Sequence, residues 1–171
     1  MRDKAKNLLR AAQAIQADLP VSYLPPAGGT IPKNQPILPH VLVVGTRGYI
    51  EKLTYQINGC YTEGWFDACA VMMRRLLETL IIETYEAHSI ESKIKNTQGD
   101  YLYLRDLIAA LSVEKSWTLS RNSRKALPDF KSLGDLSAHS RRFIAVRQDI
   151  DRISIDFRVV CQELLYLSGL K

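Results

Sequence analysis

The residues best suited to chemistry surround His139. An imidazole can accept or donate a proton near neutral pH, and Arg141 and Arg142 follow it closely enough to hold a phosphate group. Lys131 adds a weaker cation on the other side, and Asp135 can pair with either arginine or fix the tautomer of the imidazole. Together these side chains indicate proton transfer next to a bound phosphate.

Positive charge is concentrated in the same stretch. The chain of 171 residues has a net charge of +5, and residues 116–148 alone contain seven basic and two acidic side chains. The seven cations are Arg121, Arg124, Lys125, Lys131, Arg141, Arg142 and Arg147. This cluster indicates RNA, a nucleotide or an acidic protein as partner. The alternative interpretation is a solvated helix face.

Composition and missing motifs exclude several classes of protein. Hydrophobic residues make up 46% of the chain and charged residues 24%, as in globular proteins. The three cysteines contain no C-x-x-C pair, so we expect no disulfide framework and no zinc site, and a cytoplasmic location fits best. We expect no signal peptide and no membrane span. The sequence contains no P-loop, dinucleotide fingerprint or zinc-protease motif, and we expect no cofactor and no metal.

The elements that position these side chains are predicted to be helices. Residues 61–87 and 146–167 carry apolar side chains at alternating spacings of three and four. A helix near residue 49 should end at Asn58-Gly59, a further helix covers residues 102–111, and a weaker segment from 119 stops before Pro128. Pro128 then begins another helix that contains Phe130. The pattern predicts an all-α bundle.

The front of the chain differs from the rest. Residues 3–19 have an amphipathic helical pattern, and residues 20–40 contain six of the seven prolines. Because proline fixes φ and lacks an N–H, this stretch is predicted to be an extended arm. Val41–Val44 is predicted to be an edge strand or a buried connector. We therefore divide the chain into an N-terminal helix and arm, residues 1–45, and a helical bundle, residues 46–171.

Two short motifs resemble the HEPN superfamily, which is built from helical bundles. Gly134-Asp135-Leu136-Ser137-Ala138-His139 resembles its G-N-x-x-A-H signature. Arg74-Arg75-Leu76-Leu77-Glu78 resembles the R-x-x-L-E pattern on an earlier helix. The resemblance covers roughly residues 48–168 and is strongest to a bacterial branch usually catalogued as a domain of unknown function.

The resemblance implies both a fold and an activity. It implies a HEPN-like bundle, commonly a homodimer, with the histidine just before or at the start of a late helix near a cleft between subunits. Nuclease members cut RNA without a metal, and similar proteins act in phage defence or toxin systems. His139 would then be the general acid or base and Arg141 and Arg142 the phosphate clamps. The remaining site residues would bind RNA or a nucleotide (Lys131, Arg121, Arg124, Lys125) or support the loop (Arg75, Glu78, Asp135).

A second hypothesis is a protein-interaction or dimerisation module without catalysis, recognising a cognate protein partner. The nuclease pattern requires an arginine that is separated from the histidine by four to six intervening residues, and Ser132, Leu133 and Gly134 occupy those positions. His139 is then a helix N-cap or packing residue. Arg75 and Glu78 form an i,i+3 pair within the bundle.

Overall fold

The computed structural model describes residues 36–171, and this part of the chain is an all-α bundle, as predicted. Its five helices are α1 (Gly48–Thr62), α2 (Phe66–Ala87), α3 (Leu104–Val113), α4 (Arg121–His139) and α5 (Arg147–Leu167). Two 3-10 turns, His40–Leu42 and Glu91–Ile94, and an isolated bridge between Lys95 and Tyr101 complete it. The predicted helix 3–19 and arm residues 20–35 lie outside the described residues. Across residues 36–171, no helix has the length and apolar character needed to cross a bilayer.

Helix α2 lies at the centre of the bundle and packs against all four other helices. Its apolar side chains recur at the predicted spacing and are buried, from Cys69 through Met73, Leu77 and Leu80 to Tyr85. The helix begins at Phe66 rather than near residue 61, because Gly64 takes a φ of +79° that separates α1 from α2. The longest apolar pattern in the sequence therefore forms the core.

Residues 36–45, which the sequence places in the arm, contribute to this core. Ile37, Leu38 and Val43 are buried, and residues 40–42 form a 3-10 turn rather than an edge strand. Asn58 exchanges two hydrogen bonds with the Leu38 backbone, at 3.1 and 2.8 Å. This buried role also explains why α1 continues through Asn58-Gly59 to Thr62 instead of ending there.

Helix α4 is continuous, which corrects the expectation of two segments separated at Pro128. Pro128 lies on the exposed face, where water can satisfy the Arg124 carbonyl that has lost its helical donor. On the opposite face Ala126, Leu127 and Phe130 are buried, so packing holds the helix together. Helix α5 matches its prediction within one residue.

Candidate functional site

The exposed face of α4 carries several of the basic side chains that the sequence singled out. Arg121, Arg124, Lys125, Lys131 and His139, together called here the α4 basic face, lie within about 120° of one another around the helix axis. From the first to the last residue the face extends about 27 Å, at 1.5 Å per residue. All of them are exposed except Lys131, which is half-buried. The predicted binding residues thus share one surface but spread along its length.

Asp135 interrupts this face with a negative charge, and two cations neutralise it. Arg74 Nε donates to Asp135 Oδ1 at 2.8 Å, and Lys131 Nζ donates to Oδ2. Partial burial raises the pKa of the Asp135 carboxyl, but the hydrogen bonds from Lys131 and Arg74 outweigh it and leave the pKa below its usual value. The expected pairing of Asp135 with Arg141 or Arg142 is therefore wrong.

Gly134 allows Arg74 to reach Asp135. A Cβ atom at Gly134 would lie 2.7 Å from Arg74 Cβ and 2.9 Å from its Cδ. Since carbon atoms normally approach to about 3.5 Å, only glycine fits at this crossing of α2 and α4. The glycine of the predicted motif thus has a structural role, which is to let the arginine stem lie across α4.

The ion pair that the sequence predicted between Arg75 and Glu78 on α2 forms instead between Arg74 and Glu78. Glu78 pairs with Arg74, four residues earlier, at 3.6 Å, and not with Arg75. Arg75 is exposed and makes no ion pair with another residue in the described part of the chain. The helix turns Arg74, rather than Arg75, toward α4. The first position of the R-x-x-L-E pattern is Arg74, so the pattern itself indicated Arg74 rather than Arg75 as the functional arginine.

His139 is the last residue of α4, which corrects its expected position at the start of or directly before the late helix. No residue before His139 ends the helix, and the chain leaves the helical conformation only at Ser140. An N-cap role for His139 is therefore wrong. Its side chain is exposed and forms no hydrogen bond with Asp135, Glu78 or any other residue from 36 onward.

His139 borders an open surface pocket, called here the His139 pocket, of about 650 Å³. Lys131, Asp135 and Ser140 of the α4 region line it together with Arg105 of α3. An adjoining recess of about 330 Å³ shares Arg105, Lys131, Asp135 and His139 and adds the side chains of Arg74, Tyr103 and Asp106. The surface that His139 borders thus contains cations from three helices, Arg74 of α2, Arg105 of α3 and Lys131 of α4.

No family model, curated protein or solved structure matches the chain.

Arg105 and Tyr103 are the pocket residues that the sequence did not indicate. Arg105 Nε pairs with Asp106 at 3.0 Å and is otherwise exposed. Tyr103 directly precedes α3 and Arg105 lies in its first turn. In this part of the sequence, the spacing of the leucines predicted a helix but gave no indication of a pocket. Their approach to α4 is a long-range contact, and no local pattern identifies it.

Arg141 and Arg142, the expected phosphate clamps, line a different pocket. This pocket measures about 560 Å³ and is bordered by Ser140 and the two arginines, whereas His139 does not line it. The loop that carries them is anchored by a hydrogen bond from Ala145 N to Asp67 at 3.0 Å. Lys131 and Arg105 thus line the His139 pocket, whereas Arg141 and Arg142 do not.

Among residues 36–171, no three His, Cys, Asp or Glu side chains are grouped as metal ligands would be.

Proposed function

We propose that the protein binds RNA along the α4 basic face. The observation that carries this proposal is a row of basic side chains on one side of a single helix, about 27 Å long. It consists of the exposed Arg121, Arg124 and Lys125 at the start, the half-buried Lys131, and the His139 imidazole at the end. Arg121, Arg124 and Lys125 form no ion pair with another described residue, so their charge is available to phosphates. Such a row matches the repeating charge of a nucleic-acid backbone.

The preference for RNA over other polyanions rests on the HEPN-like motifs. His139 is the last residue of the α4 basic face, where the imidazole would meet the strand. The same resemblance supports a role in phage defence or in a toxin system. Asp135 does not repel the strand, because Arg74 and Lys131 neutralise its charge.

Cleavage of RNA requires a base for the ribose 2′-OH proton and an acid for the leaving oxygen. The His139 pocket of one chain supplies a single imidazole, with Arg105 and Lys131 as the adjacent cations. A homodimer that joins two such pockets would supply the second imidazole. We therefore propose RNA binding, and not RNA cleavage, for the single chain. Incubating RNA with wild type and with His139→Ala in the presence of a chelator measures whether cleavage occurs and whether it requires the imidazole.

A titration of fluorescently labelled RNA by anisotropy tests the binding proposal. Reversing two charges with Arg124→Glu and Lys125→Glu should weaken binding at least about tenfold, because both side chains would then repel phosphate. Lys52→Glu changes an exposed cation on α1 and should alter the affinity less than about twofold. A DNA strand of the same sequence tests the preference for RNA. Equal affinities of the double variant and wild type would contradict the proposal.

A second candidate function, dimerisation, is favoured by an apolar row on α5. Ile155, Val159 and Tyr166 are 71%, 45% and 75% exposed, and they recur on one side of the helix. Exposed apolar rows of this kind mark interaction surfaces. Light scattering of wild type and of Ile155→Glu across a range of concentrations tests it, since the substitution should convert a dimer into a monomer.

A further inference from the structure

Tyr103 is a large aromatic side chain that the bundle does not bury. It lies directly before α3 and is 83% exposed, although most tyrosines of the described chain are partly or wholly covered. Tyr103 is one of the residues that line the recess next to the His139 pocket. An exposed aromatic ring offers a flat apolar face on which a nucleic-acid base can stack.

Charged groups of both signs face Tyr103 across the recess. Arg105 and Asp106 follow it in sequence, and Lys131, Asp135 and His139 come from α4. Arg105 uses its Nε on Asp106, which leaves the terminal guanidinium N–H groups available to a ligand. Lys131 likewise has donors beyond the one that it gives to Asp135. The recess thus joins one stacking surface with donors suited to a phosphate.

Packing and hydrogen bonds fix the side chains on the α4 side of the recess. Arg74 lies across Gly134 and fixes Asp135, which in turn holds Lys131. The recess and the His139 pocket measure about 330 and 650 Å³, within the range of small-molecule sites. One nucleotide is of suitable size and chemistry, since it combines an aromatic base with a phosphate.

We propose that this recess binds one unpaired nucleotide of an RNA strand, with its base stacked on Tyr103 and its phosphate held by Arg105 and Lys131. The inference rests on the proposed RNA binding and adds that the strand is single at this point. A base within a duplex is stacked on its neighbours and cannot lie against Tyr103. The remainder of the strand follows the α4 basic face.

Anisotropy titrations with the full chain test this subsite. The probes are a labelled 12-nucleotide oligoadenylate, a labelled RNA duplex of the same length and 5′-AMP as competitor. Tyr103→Leu should weaken binding of the single strand about tenfold, because a base–aromatic stack is lost. Binding of the duplex should stay unchanged, and Tyr103→Phe, which keeps the ring, should bind the single strand like wild type. Circular dichroism confirms that each variant is folded.

Two results would overturn the subsite while leaving RNA binding intact. One is a Tyr103→Leu variant that binds the single strand as tightly as wild type. The other is equal weakening of single strand and duplex, since stacking would then not be the cause. If 5′-AMP competes with an affinity equal to that of the oligonucleotide, the recess is a site for free nucleotides and the assignment to a strand is wrong. Failure of wild type to bind any RNA would overturn both proposals.

Discussion

Replacement of Gly134 by alanine tests the crossing that positions Asp135. Alanine at an exposed helix interior is normally about 1 kcal/mol more stabilising than glycine. At Gly134, however, the new Cβ would lie 2.7 Å from Arg74 Cβ, far inside the usual carbon–carbon distance of about 3.5 Å. Overpacking of this kind costs about 1–3 kcal/mol, and a contact with a Cβ atom cannot be relieved by rotating the side chain. We therefore expect a net loss of about 0–2 kcal/mol in the free energy of unfolding, in place of the gain of about 1 kcal/mol that alanine gives elsewhere.

Urea denaturation followed by circular dichroism measures this difference. Gly48→Ala is the matched control, because a Cβ there meets no atom within 4 Å, and it should change stability by less than about 0.5 kcal/mol. In an Arg74→Gly background the clash disappears, and Gly134→Ala should then stabilise the protein, as in an ordinary helix. A Gly134→Ala protein that is about 1 kcal/mol more stable than wild type, as at an ordinary helix position, would refute the close approach of the two helices.

Two further predictions concern the contacts around α4. Glu163 of α5 accepts hydrogen bonds from Ser120 N at 2.5 Å, from Ser120 Oγ at 3.0 Å and from Ser123 Oγ. Because these donors would lose their acceptor, Glu163→Ala should lower the free energy of unfolding by about 1–3 kcal/mol. Glu163→Gln keeps an acceptor oxygen and should lower the free energy of unfolding less than Glu163→Ala does. Because the Asp135 pKa is lowered from 3.8, its ion pairs stabilise the fold above that pH and are lost as the pH falls through the lower folded value. Between pH 5 and the acid transition, wild type should therefore lose more stability than Asp135→Asn in parallel urea titrations, and identical pH profiles would contradict the pairing with Arg74.

Apolar spacing predicted the long helices because burial depends on periodicity. In α5, Ile150, Ile153 and Phe157 keep the four-three spacing, and all are buried. The errors arose where a local preference was outweighed by tertiary contacts. Pro128 tends to end helices, but the buried face of α4 holds the helix together through it. Asn58 tends to form turns, but its side chain is used inside the bundle.

The site was predicted only as far as contiguous sequence could show it. Lys131, Asp135 and His139 lie on one helix, and their grouping was visible in the motif. The partner of Asp135 was not visible in the sequence, because a shift of one residue on α2 decides whether Arg74 or Arg75 faces α4. Tyr103 approaches from the segment directly before α3, and nothing in its neighbouring residues marks it as part of the pocket.

The salt dependence of RNA binding tests the α4 basic face most directly. Each phosphate neutralised on a single strand contributes about 0.7 to the slope of log affinity against log salt concentration. Arg121, Arg124 and Lys125 have no ion pair within the described residues, so the three predict a slope of at least about 2 for wild type. Removing two of them in Arg124→Ala/Lys125→Ala should reduce that slope by about 1.4. A slope unchanged in the double variant would show that RNA, if bound, lies elsewhere on the molecule.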